Sequence, residues 1–210
     1  INSFNKNKHT QYYKRWLRGF SRETLAVKKS SNKSSNNWEG IGPWDFDINA
    51  ESRSYAPGAA HLYTVEQSKS NNNVLYAGAA TAGAWRSNNK GDNWFHITKD
   101  FHLSSVYALE IDFQDEDIIY ISGNGGLHKS IDGGANWNSV GGSNFNSQSH
   151  SIKDIKMHPQ NNQIIFIASD KGLYKSTNGG ILLIEIMSGD FQEIEFHPSS
   201  SDTMYFIKQD

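Results

Sequence analysis

Ser130-Ile131-Asp132-Gly133-Gly134-Ala135-Asn136-Trp137 follows a short apolar segment, and the chain writes nearly the same phrase three times. The other copies are Ser87-Asn88-Asn89-Lys90-Gly91-Asp92-Asn93-Trp94 and Ser176-Thr177-Asn178-Gly179-Gly180 running on to Leu183. Their first serines lie 43 and then 46 residues apart. A short acceptor side chain such as Asp132 or Asn178 suits a tight turn, taking hydrogen bonds from backbone amides two or three positions on. Glycines at 91, 133, 134, 179 and 180 allow positive φ where such a turn demands it. Trp94 and Trp137 are then expected to return to the sheet and bury a large apolar face. In the third copy Leu183 holds the tryptophan slot, which reads as a degenerate copy with looser packing.

Working outward from the phrase, each unit reads as a string of short strands. The second unit has Val106 to Phe113, the turn Gln114-Asp115-Glu116-Asp117, and Ile118-Ile119-Tyr120-Ile121-Ser122. Gly123-Asn124-Gly125-Gly126 leads into Leu127-His128-Lys129-Ser130, the phrase follows, and a last strand begins near Trp137. The third unit repeats this with Ile152 to Met157, Ile164 to Ala168 and Leu173 to Ser176. The first has His61 to Glu66, Val74 to Ala77 and Ala84 to Ser87, and a fourth opens with Phe191 to Phe196 and Met204 to Ile207. His158-Pro159 and His197-Pro198 fill one slot in two units, 39 residues apart. Units of this length built from short strands are the mark of β-propeller blades. The fold class is therefore all-β: four-stranded antiparallel blades, about three and a half of them, over residues 38–210. An open stack would expose strand edges, so the stretch is expected to be part of a longer propeller, completed by the same chain or by a partner subunit.

Composition narrows the classes further. The chain has 210 residues and no cysteine, which excludes a disulfide framework and Cys-ligated zinc. The longest apolar run, Ile181 to Met187, is interrupted by Glu185 and is far shorter than the roughly 18–20 residues of a transmembrane helix. Net charge is -2, yet residues 1–37 hold nine Lys or Arg and one acid, Glu23. That basic arm places Tyr12, Tyr13, Trp16, Leu17 and Phe20 at helical spacing, followed by a Ser/Asn/Lys tether from Lys28 to Asn37. Tyr13, Lys14, Arg15, Trp16 and Arg18 have the chemistry to stack bases and neutralise phosphates. Docking on the acidic body accounts for the same residues, and nucleic acid is not the expected partner.

The pattern Ser-x-Asp-x-Gly-x-x-Trp resembles the Asp-box, or bacterial neuraminidase repeat. That repeat occurs in sialidases, sortilin-type propellers, xyloglucanase-like glycoside hydrolases and photosystem II assembly factors. Val74-Leu75-Tyr76-Ala77-Gly78, Trp85-Arg86-Ser87 and Gly91-Asp92-Asn93-Trp94 together most resemble the sortilin-like branch. Trp38-Glu39-Gly40-Ile41-Gly42-Pro43 is similar to a segment of large secreted propeller proteins of Bacteroidetes, many of them exported by the type IX system. The resemblance implies that the box lies on the outer rim and is structural. On that reading Ser87, Gly91, Trp94, Ser130, Asp132, Gly134, Trp137, Ser176, Asn178 and Gly180 shape turns, and ligands meet the central face.

The enzyme sites of these families make definite demands on the residues. A sialidase-like site needs three arginines converging on a carboxylate, and beyond the arm there are only Arg53 and Arg86. In the xyloglucanase-like family one catalytic Asp sits in a segment like Tyr76 to Arg86, and its position falls here on Ala80. Asp112, Asp115, Glu116 and Asp117 lack the spaced ligand loop of a calcium site and read as a solvated turn. Gly123-Asn124-Gly125-Gly126 precedes a strand, not a helix, so it is not a nucleotide loop. His158 and His197 read as turn residues rather than metal ligands. No catalytic, cofactor or metal residue is assigned. The expected function is a secreted or cell-surface, non-catalytic module that binds protein or glycan. The alternatives are a glycoside hydrolase with its carboxylates on other blades, and an assembly factor of a larger complex.

Overall fold

The computed structural model describes residues 62–209, apart from 102, 104, 124, 125 and 143–149. The basic arm, the tether, the Trp38–Pro43 segment, the 37/38 boundary and Arg53 lie outside the described residues. The described chain is all β. Three four-stranded antiparallel meanders follow one another: β1 (Leu62–Gln67), β2 (Leu75–Ala79), β3 (Ala84–Ser87) and β4 (Phe95–His96); β5 (Leu109–Ile111), β6 (Ile119–Gly123), β7 (Gly126–Ser130) and β8 (Asn138–Val140); β9 (Ile152–His158), β10 (Asn161–Ser169), β11 (Gly172–Ser176) and β12 (Ile184–Ser188). A two-stranded sheet, β13 (Asp190–His197) with β14 (Ser200–Gln209), comes last.

Second strands explain the unbroken apolar runs seen in the sequence. Every residue of β2 and β6 is buried: each strand has a neighbour on both edges, β6 has a sheet on each face, and Trp85 and Trp94 help cover the face of β2 turned away from the second sheet. The core accordingly lies between consecutive sheets. Tyr76, Val106, Leu109 and Ile119 join the first sheet to the second. Tyr120, Leu127, Ile155, Ile165 and Leu183 join the second to the third, and Phe166, Leu173, Phe191 and Ile194 join the third to the last.

One strand departs from the sequence expectation. The segment from Val106 to Phe113 forms a ladder only over Leu109–Ile111. Its first residues spend their amides elsewhere: Val106 N–H donates to the Ala79 carbonyl of the preceding sheet, and Tyr107 and Ala108 N–H both donate to Ser122 Oγ. A hydroxyl and a neighbouring blade replace the ladder there.

The eight-residue phrase joins the third strand of each sheet to the fourth, and its chemistry is nearly identical in all three copies. Ser130 Oγ accepts from Asp132 N–H (3.3 Å) and Gly134 N–H (2.8 Å) while donating to Asp132 Oδ1 (2.8 Å). Ser87 makes the same set with Asn89 and Gly91, and Ser176 with Asn178 and Gly180. The acceptor side chain reaches further than expected: Asp132 Oδ1 takes the amide of Asn136, and Asn178 Oδ1 that of Leu182, each four positions on. The serine hydroxyl, not the acid, serves the nearer amides. Lys90 adopts φ 57° where the other copies have Gly133 (69°) and Gly179 (66°).

The closing residue of the phrase also differs from expectation. Trp94 is buried, but Trp137 is only partly so, and its Nε1–H donates to the Ile97 carbonyl of the first sheet (3.0 Å). Leu183 is 1% exposed and belongs to the core between the second and third sheets. The leucine copy is therefore well seated.

Replacing Ser130 by alanine strips the buried Gly134 amide of its acceptor and is expected to cost about 1–3 kcal/mol in denaturant unfolding. Gly134→Ala should cost more, since φ is 92° and the new Cβ would meet Ile97 Cδ1 at 2.7 Å. A Ser130→Ala chain as stable as the parent would show the hydroxyl to be dispensable.

Candidate functional site at the inner strands

The first strand of every sheet is the one left to face a groove. The repeat places Glu66, Glu110, Lys156 and Glu195 at one register position, opposite Tyr76, Tyr120, Phe166 and Tyr205 of their second strands. All four line a groove of about 470 Å³, together with Lys69, Pro159, Gln160, His197 and Pro198. Strand alternation puts Thr64, Ala108, Asp154 and Glu193 on the same face two positions earlier, and these line an adjoining groove of about 280 Å³.

Two carboxylates here tie one inner strand to the next. Glu110 Oε1 on β5 accepts the Met157 amide of β9 (3.2 Å). Asp154 Oδ2 on β9 accepts the Ile194 amide of β13 (2.9 Å), and its Oδ1 takes its neighbour Ile155 N–H. Burial pushes the Glu110 carboxyl up to about 8, against the pull of the Met157 N–H and Lys156. Burial likewise lifts Asp154 to about 6, although Ile194 N–H and Lys156 favour its ionised form. Glu66 is also raised by burial, with Lys156 and Lys69 opposing. Burial works against the charge of Lys156, but Asp154, Glu195 and Glu110 outweigh it and raise its pKa. Lys156 Nζ lies 3.1 Å from Glu195 Oε1, a pair too exposed on the glutamate side to add much stability.

An aromatic pair sits beside this cluster. Tyr63 and Tyr107 occupy equivalent positions in the first two sheets, and their rings stack at 4.5 Å between centroids. Both are about half exposed, at 51% and 47%, and both line the smaller groove with Lys153, Asp154, Gln192 and Glu193. The surface thus offers an apolar ring face next to hydrogen-bonding groups of both kinds. Sequence reasoning missed Tyr63, Tyr107, Glu110 and Asp154. For Tyr107, Glu110 and Asp154 the available signal was register, since each stands next to a buried aliphatic (Val106, Leu109 and Ile155), whereas β1 holds no buried residue that could have pointed to Tyr63.

The residues singled out from the sequence fall elsewhere. Ser87, Gly91, Trp94, Ser130, Asp132, Gly134, Trp137, Ser176, Asn178 and Gly180 stay in three separate turns, and none lines either groove. The acidic turn disperses into contacts between sheets. Asp117 pairs with Arg86 at 2.7 Å, Glu116 accepts from Ser70 and Asn71, and buried Asp112 accepts from Asn162. Arg86 is thereby committed to Asp117 and Asn88. Ala80 brings only a backbone carbonyl, which accepts from Ser105 Oγ. His158 and His197 each take through Nδ1 the amide two residues on, from Gln160 and Ser199. Among the described residues no His, Asp and Glu side chains gather into a metal-binding group, and no helix is long and apolar enough to cross a membrane.

No family model matches the chain, and no curated protein matches it. Solved structures do. The β-propeller domain of Cps50 (Swd1) from Myceliophteria thermophila has a TM-score of 0.54 at 13% identity, covering 75% of this chain and 51% of that one. The Niastella koreensis GH74 enzyme has a TM-score of 0.53 at 21% identity, covering 62% and 23%. YCF48 bound to D1 peptide has a TM-score of 0.52 at 14% identity, covering 67% and 45%. The chain therefore spans about a quarter to a half of the length of these proteins.

Glu110→Gln tests the inner-strand clip, since the amide oxygen can still accept the Met157 N–H while the buried charge is gone. The folded carboxyl holds its proton up to about 8 against an ordinary 4.5, so its stabilising contribution is full below 4.5 and lost as pH rises through 8. The variant should exceed the parent by several kcal/mol at pH 9 and by little at pH 4, read from thermal unfolding. At these identities the likeness establishes fold and no more: the described chain is built of β-propeller blades.

Proposed function

We propose that this chain is a non-catalytic propeller module that binds a protein or glycan ligand at its inner-strand surface, outside the cell or on its surface. The observation that carries the reading is the division of labour along each repeat. In the three four-stranded sheets second and third strands are spent on packing, and the side chains of the phrase on its own turns. The first strands alone present Glu66, Lys156, Glu195, Tyr63 and Tyr107 to open grooves. Such a surface combines ring faces with groups that fix orientation, which is what a peptide or saccharide site needs.

The Asp-box resemblance of the three phrases supports the sortilin-like assignment, and the Trp38–Pro43 segment supports secretion by the type IX route. Protein ligands find a parallel in YCF48, solved with a D1 peptide, and a role as an assembly factor is the version of this reading in which that ligand is a subunit of a complex. A glycoside hydrolase is the second reading. It is favoured by the two carboxylates in the grooves whose protons are held near neutrality, Glu110 at about 8 and Asp154 at about 6, a property useful in a general acid. Both oxygens of Asp154 accept backbone amides and Glu110 is clipped to β9, which suits structural work better.

Screening the purified chain against peptide and glycan arrays should yield saturable binding without turnover. Tyr107→Ala is expected to weaken that binding about tenfold while leaving the unfolding midpoint nearly unchanged, because the ring is half exposed. Hydrolysis of any glycan that disappears in Glu110→Gln would replace this reading with the hydrolase.

A further inference from the structure

The three phrases differ in one dipeptide. At the acceptor side chain the first has Asn89-Lys90, the second Asp132-Gly133 and the third Asn178-Gly179. Only the third copy sets a side-chain amide directly before glycine. That order places a carboxamide carbon next to a backbone nitrogen whose own residue has no side chain to shield it. Attack of the Gly179 nitrogen on Asn178 Cγ closes a five-membered succinimide. The side-chain nitrogen leaves as ammonia, taking its bonding pair and one proton, and the Gly179 amide loses one proton to water in exchange. Water then opens the ring. Addition at Cγ gives aspartate, and addition at the main-chain carbonyl gives isoaspartate.

Both reacting groups are held by the turn. Asn178 Oδ1 accepts from Ser176 Oγ–H (2.9 Å) and from Leu182 N–H (3.0 Å), which polarises the carbonyl and pins the side chain. The nucleophile is committed elsewhere: Gly179 N–H donates to the Gln163 carbonyl (2.9 Å). Gly179 is also held from the preceding sheet, because its carbonyl accepts from the Tyr120 hydroxyl (3.0 Å) and from Lys129 Nζ (3.3 Å). Bringing its nitrogen onto Cγ requires the residue to move, and that breaks the bond to Gln163 and those from the second sheet.

The two products differ in what the turn can accept. Aspartate fits, as the second copy shows: Asp132 Oδ1 accepts from Ser130 Oγ and from the amide four positions on, the same set that Asn178 makes. Isoaspartate lengthens the main chain by one methylene and removes the side-chain acceptor. The bonds of Gly180 N–H to Ser176 Oγ and of Gly179 N–H to Gln163 are then out of register.

We propose that Asn178 is a latent modification site: it deamidates when the seam between the second and third sheets opens at Gly179, and the isoaspartyl product then keeps the turn from re-forming. The inference rests on neither the inner-strand grooves nor the ligand proposed for them.

The full 210-residue chain is incubated beside a synthetic peptide of residues 174–181, Tyr-Lys-Ser-Thr-Asn-Gly-Gly-Ile, in the same buffer and at the same temperature. Deamidation is read by mass after proteolytic mapping, which separates Asn178 from Asn124, also followed by glycine. The folded chain should react at least about tenfold more slowly than the peptide, because only the open fraction reacts. Tyr120→Phe removes one donor to Gly179, and Phe166 holds the corresponding place in the third sheet. That variant and Ser176→Ala should each speed deamidation about three- to tenfold, with hydrogen exchange at the Gly179 amide rising in proportion. If Ser176→Ala fails to fold, Tyr120→Phe carries the comparison. A parent chain that reacts as fast as the peptide would overturn the proposal. So would a Tyr120→Phe chain with unchanged deamidation, whether or not its Gly179 amide exchanges faster. The isoaspartyl form, separated by chromatography, should lose exchange protection in β11 and β12 while β2 and β3 keep theirs, and Asn178→Asp should match the parent. An isoaspartyl chain as protected as the parent would remove the second half of the proposal.

Discussion

The hydroxyl of Tyr120 is buried between two sheets and donates to the Gly179 carbonyl of the next blade (3.0 Å), and much of the structure depends on bonds of this kind. Lys129 lies over the same ring and reaches the same carbonyl at 3.3 Å. Tyr76 repeats the arrangement one blade earlier, donating to the Glu116 carbonyl at 2.8 Å. A buried phenol costs several kcal/mol if its hydroxyl finds no partner, so the tyrosine is tolerated only while the next sheet is correctly seated. Burial pushes both phenols well above their ordinary range, and the hydroxyls remain donors. The first two blades thus carry on their second strands a residue that only the next blade can satisfy.

That constraint assigns work to the strands. Second strands must be apolar on both faces, third strands must deliver a cation and a serine, and the phrase must turn the chain with its own side chains while, at Gly179, offering a carbonyl to the neighbouring blade. Gly133 shows how closely these parts fit: a Cβ there would run into the Arg86 guanidinium, which is paired with Asp117. First strands carry a lighter load and are left to vary, from Glu66 through Glu110 and Lys156 to Glu195. Variation at one geometric position around a groove is how a repeated scaffold acquires a particular ligand.

The repeat spacing, the strand order and the turn chemistry were legible in the residues because they are local. Ser130, Asp132 and Gly134 lie within five residues of each other, and their hydrogen bonds follow from chemistry and spacing. Even here the division of the amides was misjudged, since the serine takes the near ones and the acid takes the amide four positions on. The clips of the inner strands were not legible. Glu110 and Met157 are 47 residues apart and Asp154 and Ile194 are 40 apart, and nothing in either segment names the other. The acidic turn from Asp112 to Asp117 looked solvated for the same reason: Arg86, Asn71 and Asn162 reach it from other blades.

By itself the sequence determined that this protein is all-β, that its blades recur every 43 to 46 residues, and that the conspicuous phrase serves turns rather than chemistry. Hydrogen-bonding side chains next to glycines dictate local geometry whatever surrounds them. Tertiary structure alone decided which carboxylates lose their water and which tyrosines stack in the open. Those properties belong to the packing of one sheet on another, and desolvation and ladder pairing are fixed only when the sheets meet.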